Sequence, residues 1–246
     1  MTTRPQSPLE GVHIRDDFIQ NAIITTTNVG ELGWEFGALT TNDAASYLTG
    51  YQANRGEGKA QGVLRLTGAG AGDGTGSYYR LFTDALVING GPGGFACRVR
   101  YPEIAGNSLV GNNFRIGMDD SITATIPGSG ISVASDAGVI TCVAWSNDHG
   151  DTTITPAYTT TMVLDTWYTF RAEWSGENGM GGPRELFFYI DDVLQGSATI
   201  MLDDDEEVEA KFVHWQDTGG AASLEWDLDF FEFWSWIDRS ATADAV

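Results

Sequence analysis

The chain is poor in lysine, in cysteine and in long apolar runs, and each shortage excludes something. Lys59 and Lys211 are its only lysines, and its 11 arginines are dispersed. Against 34 Asp and Glu, the 13 basic residues leave a formal charge of -21. A field of that sign repels phosphate backbones and anionic headgroups, which disfavours direct binding to DNA, RNA or an acidic membrane surface. No apolar run approaches the ~18 residues of a membrane span. Met1 to Gly11 is polar, holds Pro5 and Pro8, and has no apolar signal-peptide core. Cys97 and Cys142 are the only cysteines, and both lie in apolar, strand-like segments. They are expected as buried thiols, and a disulfide is open only if their strands become neighbours. Two Cys and three scattered His make a structural zinc site unsupported.

What is present points to a large β core. Eight Trp, 8 Tyr and 12 Phe, with 42% hydrophobic residues, exclude a disordered acidic chain. From Asp16 onward the sequence is a succession of short runs separated by Gly, Asn, Asp, Ser and Thr. In 95–101, Phe95, Cys97, Val99 and Tyr101 alternate with Ala96, Arg98 and Arg100, the period of two of a half-buried strand. The segments 63–67, 114–118, 139–145, 168–174 and 186–190 read the same way. The last strong segment, 224–234, places Trp226, Leu228 and Phe230 on one face and Glu225, Asp227 and Asp229 on the other. Its phase slips at Phe230–Phe231, as at a β-bulge. Residues 68–76 and 90–94 are expected as loops. Segment 202–213 is acidic enough for a helical turn, yet Val208, Ala210 and Phe212 alternate as in a strand. Many short strands with no interdomain linker predict one two-sheet sandwich, its rings filling the space between the sheets.

Thr166 to Trp174, followed by Glu185 to Val193, resembles the concanavalin A-like lectin/glucanase jelly rolls, with Asp192 where an Asp-Gly turn is usual. The closing segment 227–233 is similar to the last strand of such domains. Asp16-Asp17-Phe18-Ile19, then Gly30 to Phe36, is similar to concanavalin A-like modules of tailed-bacteriophage structural proteins. So is the succession Phe114 to Asp119, Gly130-Ile131, and the tryptophan-led strand. The resemblance implies an all-β jelly-roll sandwich of two antiparallel sheets over 16–236, with an N-terminal arm at 1–15 and a C-terminal tail at 237–246. Phe18 and Trp34 would close one end of the core, and the two terminal regions would lie in adjacent strands.

The resemblance also implies a non-enzymatic virion protein. It would be assembled in the host cytoplasm and placed on the capsid surface as a decoration protein. Its partner would be the major capsid protein or another virion protein, and it could form a homo-oligomer. Two alternatives stand beside this. A glycan-binding module needs an aromatic platform next to hydrogen-bonding groups, and Trp145, Asn147, Asp148 and His149 are the best candidates. A β-glucanase needs two carboxyls about 5 Å apart. The family pattern is Glu, one residue, Asp, one or two residues, Glu; Asp227, Asp229 and Glu232 put Asp in its first position with the phase slip before Glu232, and Glu225, Asp227 and Asp229 put Asp in its last. No cofactor is expected, although a structural calcium is open at Asp119–Asp120, Asp148–Asp151, Asp191–Asp192 or the acidic run 203–207. His149 and His214 have no Ser or Cys partner at a recognisable spacing, so a hydrolase triad is not expected.

Overall fold

A computed structural model describes residues 11–18, 32–39, 46–49, 63–69, 75–87, 91–103, 109–121, 127–176, 182–202, 207–217 and 223–236. Every regular element among them is a β-strand. The larger, eight-stranded sheet runs β13 (Val193–Ile200), β12 (Arg184–Ile190), β11 (Trp167–Trp174), β6 (Gly93–Arg100), β15 (Ser223–Trp236), β4 (Leu64–Ala69) and β3 (Ser46–Thr49), with β1 (Gly11–Asp16) also on β15. The smaller, seven-stranded sheet runs β10 (Thr152–Ile154), β9 (Val139–Ser146), β8 (Ser129–Asp136), β7 (Asn112–Asp119), β14 (Glu207–Gln216), β5 (Thr75–Val87) and β2 (Glu35–Ala38). All their pairings are antiparallel.

The alternation seen in the sequence becomes the core. Phe95, Cys97 and Val99 of β6 and Phe170, Ala172 and Trp174 of β11 face Phe114, Ile116 and Met118 of β7 and Val208, Ala210 and Phe212 of β14. The ambiguous segment 202–213 is therefore a strand over its β14 part, because only a period of two buries that set on one face. Phe114 ties the sheets together. Its ring centre lies 6.1 Å from Phe170 and 4.6 Å from Trp226 across the sandwich, and 5.8 Å from Phe212 beside it. Cys97 and Cys142 are free, buried and in opposite sheets. Burial raises both thiols above the ordinary range.

β15 shows how the phase slip is used. Its register with β6 shifts between Leu228 and Phe230. Trp226 and Leu228 point inward before the shift, and Phe231 and Phe233 after it. One extra residue keeps both halves of a long strand apolar on the same side.

Glycine marks close approach where loops are expected at 68–76 and 90–94. β4 extends through Gly68 to Ala69, β5 begins at Thr75, and β6 begins at Gly93. A Cβ at Gly93 would sit 2.6 Å from the Trp174 indole, and one at Gly94 2.4 Å from the Trp234 indole. These glycines let large rings lie on the sheet. The expected arm at 1–15 is corrected in the same way. Gly11 to Arg15 belong to β1, because their backbone pairs with Trp236 to Glu232. Residues 1–10 and 237–246 lie outside the described residues.

The opening motif has a structural task. Asp16, fully buried at the end of β1, accepts Phe18 N at 2.7 Å, Leu32 N at 3.0 Å and Trp34 Nε1 at 3.0 Å. Trp34 then packs 5.7 Å from Phe18 and 5.3 Å from Phe231. One carboxylate thus pins two segments over the end of the core. Asp16→Ala leaves three donors without that acceptor and lowers unfolding stability by about 3 kcal/mol in urea titrations. A loss below about 1 kcal/mol contradicts this role.

Candidate functional site

The outer face of the smaller sheet carries chemistry that the core does not need. Antiparallel register places Asp119 of β7, Gly130 of β8 and Trp145 of β9 in one row across it. The neighbouring row is Gly117, Ser132 and Val143. Trp145 is half-buried and donates its indole N–H to Ser132 Oγ at 2.7 Å. The indole therefore reaches to β8, the strand that carries its acceptor. No other residue suits Gly130. Its φ is +126°, and a Cβ there would lie 2.2 Å from Met118 O.

The turn after β9 carries the other three residues expected at a glycan site. Asn147, Asp148 and His149 are exposed. Ser146 shapes the turn, its Oγ accepting His149 N at 3.0 Å and its carbonyl accepting Gly150 N at 3.1 Å. The structure therefore brings all four predicted residues to one end of one sheet face. Ser132 is the neighbour that sequence reading missed, its signal only a serine in a run of small residues; Asp120, considered there as a calcium ligand, also stands beside the turn.

Beside this platform runs a buried ionic chain. Lys211 Nζ lies 2.8 Å from Asp119 Oδ1 and 3.8 Å from Glu209. Arg115 Nε lies 2.9 Å from Asp119 Oδ2, and its Nη2 donates to Ser121 O at 2.6 Å. Arg80 links Glu209, at 3.6 Å, to Glu35, at 2.9 Å. Lys211 and Asp119 are wholly shielded from solvent. Burial pushes the Lys211 ammonium below the ordinary lysine range, with Asp119 opposing it. The Glu35 carboxylate raises Arg80.

Other candidates resolve differently. His214 Nε2 hydrogen-bonds Ser77 Oγ, a pairing that a separation of 137 positions hides from the sequence. Among the described residues it is a serine–histidine pair without an orienting acid: His214 Nδ1 has no partner there, and both residues are enclosed in the core. In β15, Asp227 accepts two bonds from Arg100, at 2.6 and 3.0 Å, and Asp229 accepts one from Arg98 at 2.9 Å. Glu232 faces Arg15 at 3.3 Å. Three of the four glucanase candidates, Asp227, Asp229 and Glu232, are thus each paired with an arginine, and two of those arginines sit 5.0 and 4.8 Å from the Trp167 ring centre. Of the calcium candidates, Asp119 is held by cations, Asp120 accepts Gly128 N at 2.9 Å, and Asp191 accepts Thr169 N at 2.8 Å. Among the described residues no three His, Cys, Asp or Glu side chains converge as a metal site. Residues 203–206 lie outside the described residues.

No protein-family model matches the chain, and no curated protein matches it. Solved structures do. A protein of unknown function from Shewanella oneidensis MR-1 superposes with a TM-score of 0.58 at 16% identity, over 96% of this chain and 90% of that one. The carbohydrate recognition domain of Emp47p gives 0.53 at 10% identity, over 94% and 97%. The fold is a concanavalin A-like jelly roll. An endo-β-1,4-glucuronan lyase from the fungus Trichoderma reesei shares this jelly roll, with a TM-score of 0.53 at 10% identity over 91% and 95%. At such identities the likeness is one of architecture.

Two measurements check this electrostatic description. Asp119→Asn leaves Lys211 and Arg115 facing each other and lowers stability by about 3–5 kcal/mol in urea titrations. His214 titrates near 6.5 when exposed, and burial lowers it to about 3 in the fold. Below pH 6.5 the unfolded chain takes up a proton that the fold refuses, so this contribution is complete above 6.5 and lost as pH falls toward 3. From pH 6.5 to 5 the loss is about 2 kcal/mol, and His214→Gln flattens that limb. An unchanged slope in the variant contradicts it.

Proposed function

We propose that this jelly roll binds carbohydrate at the outer face of the smaller sheet, with Trp145 as the stacking platform. The observation that carries the reading is the fixed indole. Trp145 is half-buried, tied to Ser132 and paired across the strand with Gly130, while Asn147, Asp148 and His149 stand exposed beside it. A sugar ring offers an apolar C–H face and a rim of hydroxyls. A pre-oriented aromatic face takes the first, and amide, carboxylate and imidazole groups take the second. The shared architecture with the Emp47p carbohydrate recognition domain supports the same reading.

Binding is favoured over hydrolysis because Asp227, Asp229 and Glu232 are each paired with an arginine. It is favoured over capsid decoration because the opening motif, which prompted the virion expectation, is engaged in holding Trp34 on Asp16. Attachment to a virion is a separate proposal, checked by locating the protein in purified particles.

A glycan array followed by calorimetry tests the reading. The full chain retains at least one glycan class, and Trp145→Ala lowers its affinity about tenfold or more, with the unfolding midpoint little changed. No glycan bound above background by the unaltered protein would falsify the proposal.

A further inference from the structure

The charge distribution around Trp145 bears on which sugars fit, and this step rests on the carbohydrate-binding reading. Three basic side chains belong to this sheet face among the described residues, and each is closed onto carboxylates. Lys211 and Arg115 converge on Asp119, at 2.8 and 2.9 Å, and both are buried. Arg80 is held by Glu35 at 2.9 Å and lies 3.6 Å from Glu209. None of the three offers an open guanidinium or ammonium to a ligand carboxylate.

The rim of the platform has the opposite character. Asp120 follows β7 directly and stands beside Ser129, whose pairing partner Ser146 follows Trp145. Its Oδ1 accepts Gly128 N at 2.9 Å. A Cβ at Gly128 would meet Asn147 Nδ2 at 2.5 Å and Asp120 Oδ2 at 2.8 Å, so amide and carboxylate flank the same glycine. Asp148 and Asp151 are exposed on the turn that follows, with His149 the one basic side chain between them. The whole chain carries -21.

Carboxylates at such a rim are strong acceptors for sugar hydroxyls. They also repel any anionic substituent within a Debye length of about 8 Å at physiological salt. We infer that the Trp145 site takes neutral, hydroxyl-rich glycans and discriminates against sugars bearing carboxylate or sulfate groups. The chain would then differ in ligand charge from its fold neighbour named for glucuronan cleavage.

Matched pairs make the test. The full chain is presented with β-1,4-glucuronan, alginate and homogalacturonan, each beside its carboxyl-reduced neutral polymer, and with sialylated glycans beside their desialylated forms. Binding is measured at low and at physiological salt. The expected result is binding to neutral members at least about tenfold tighter than to their acidic partners, with a gap that narrows as salt rises. Asp148→Lys raises affinity for the acidic member of the bound pair, most strongly at low salt. Tighter binding of the acidic member by the unaltered protein overturns the inference and leaves the carbohydrate reading standing. Binding of neither member, with no signal on the glycan array, overturns that reading and this inference with it.

Discussion

β15 is the strand on which both faces of the larger sheet depend. It pairs along one edge with β6, and along the other with β4 and then β1, end to end. Fourteen residues without a bulge would turn either Trp226 and Leu228 or Phe231 and Phe233 to the outside. The shift between Leu228 and Phe230 resolves that conflict. Trp226 then meets Phe114 of the opposite sheet, and Phe231 meets Phe95 and Trp34. On the outer side the same strand sets Asp227 against Arg100 and Asp229 against Arg98. A carboxylate-rich strand thereby carries a ladder of ion pairs and cation–π contacts.

The smaller sheet solves a different problem. Its outer face holds charged groups that are shielded from water, an arrangement that costs stability unless every charge meets a partner. Asp119 meets that condition by taking Lys211, Arg115 and Ser121 N together. The pairing leaves the adjacent ground to glycine, serine and one indole. A partly apolar shelf thus lies beside exposed polar groups, with the neighbouring cations already paired.

Much of the fold was legible because burial writes itself into alternation. The segments 95–101, 114–118, 139–145 and 168–174 each carry an apolar residue at every second position, and each forms a strand of the sandwich, the first as far as Arg100. β8 and β13 were harder to see, since small residues such as Ser132, Ala134, Gly196 and Ser197 blunt the contrast between faces. Gly93 and Gly94 misled in the other direction. Their role comes from indoles brought over them by neighbouring strands, which no local composition signals. The closeness of Trp145 to Asn147, Asp148 and His149 was legible, because those four residues are contiguous or nearly so. Ser132 was not, since its link to Trp145 is a matter of register between β8 and β9.

Composition and period by themselves determined an acidic, all-β, aromatic-cored chain. Hydrophobic burial is a local property of each strand and repeats along it. Long-range pairing decided the rest. It joined Ser77 to His214, closed Asp119 on Lys211, and drew Asp16 to Trp34. Ionic and hydrogen-bond partners act over a few ångströms, so whether a carboxylate is a catalyst, a ligand group or half of a buried pair depends on which strands become neighbours. Only the tertiary structure specifies those neighbours.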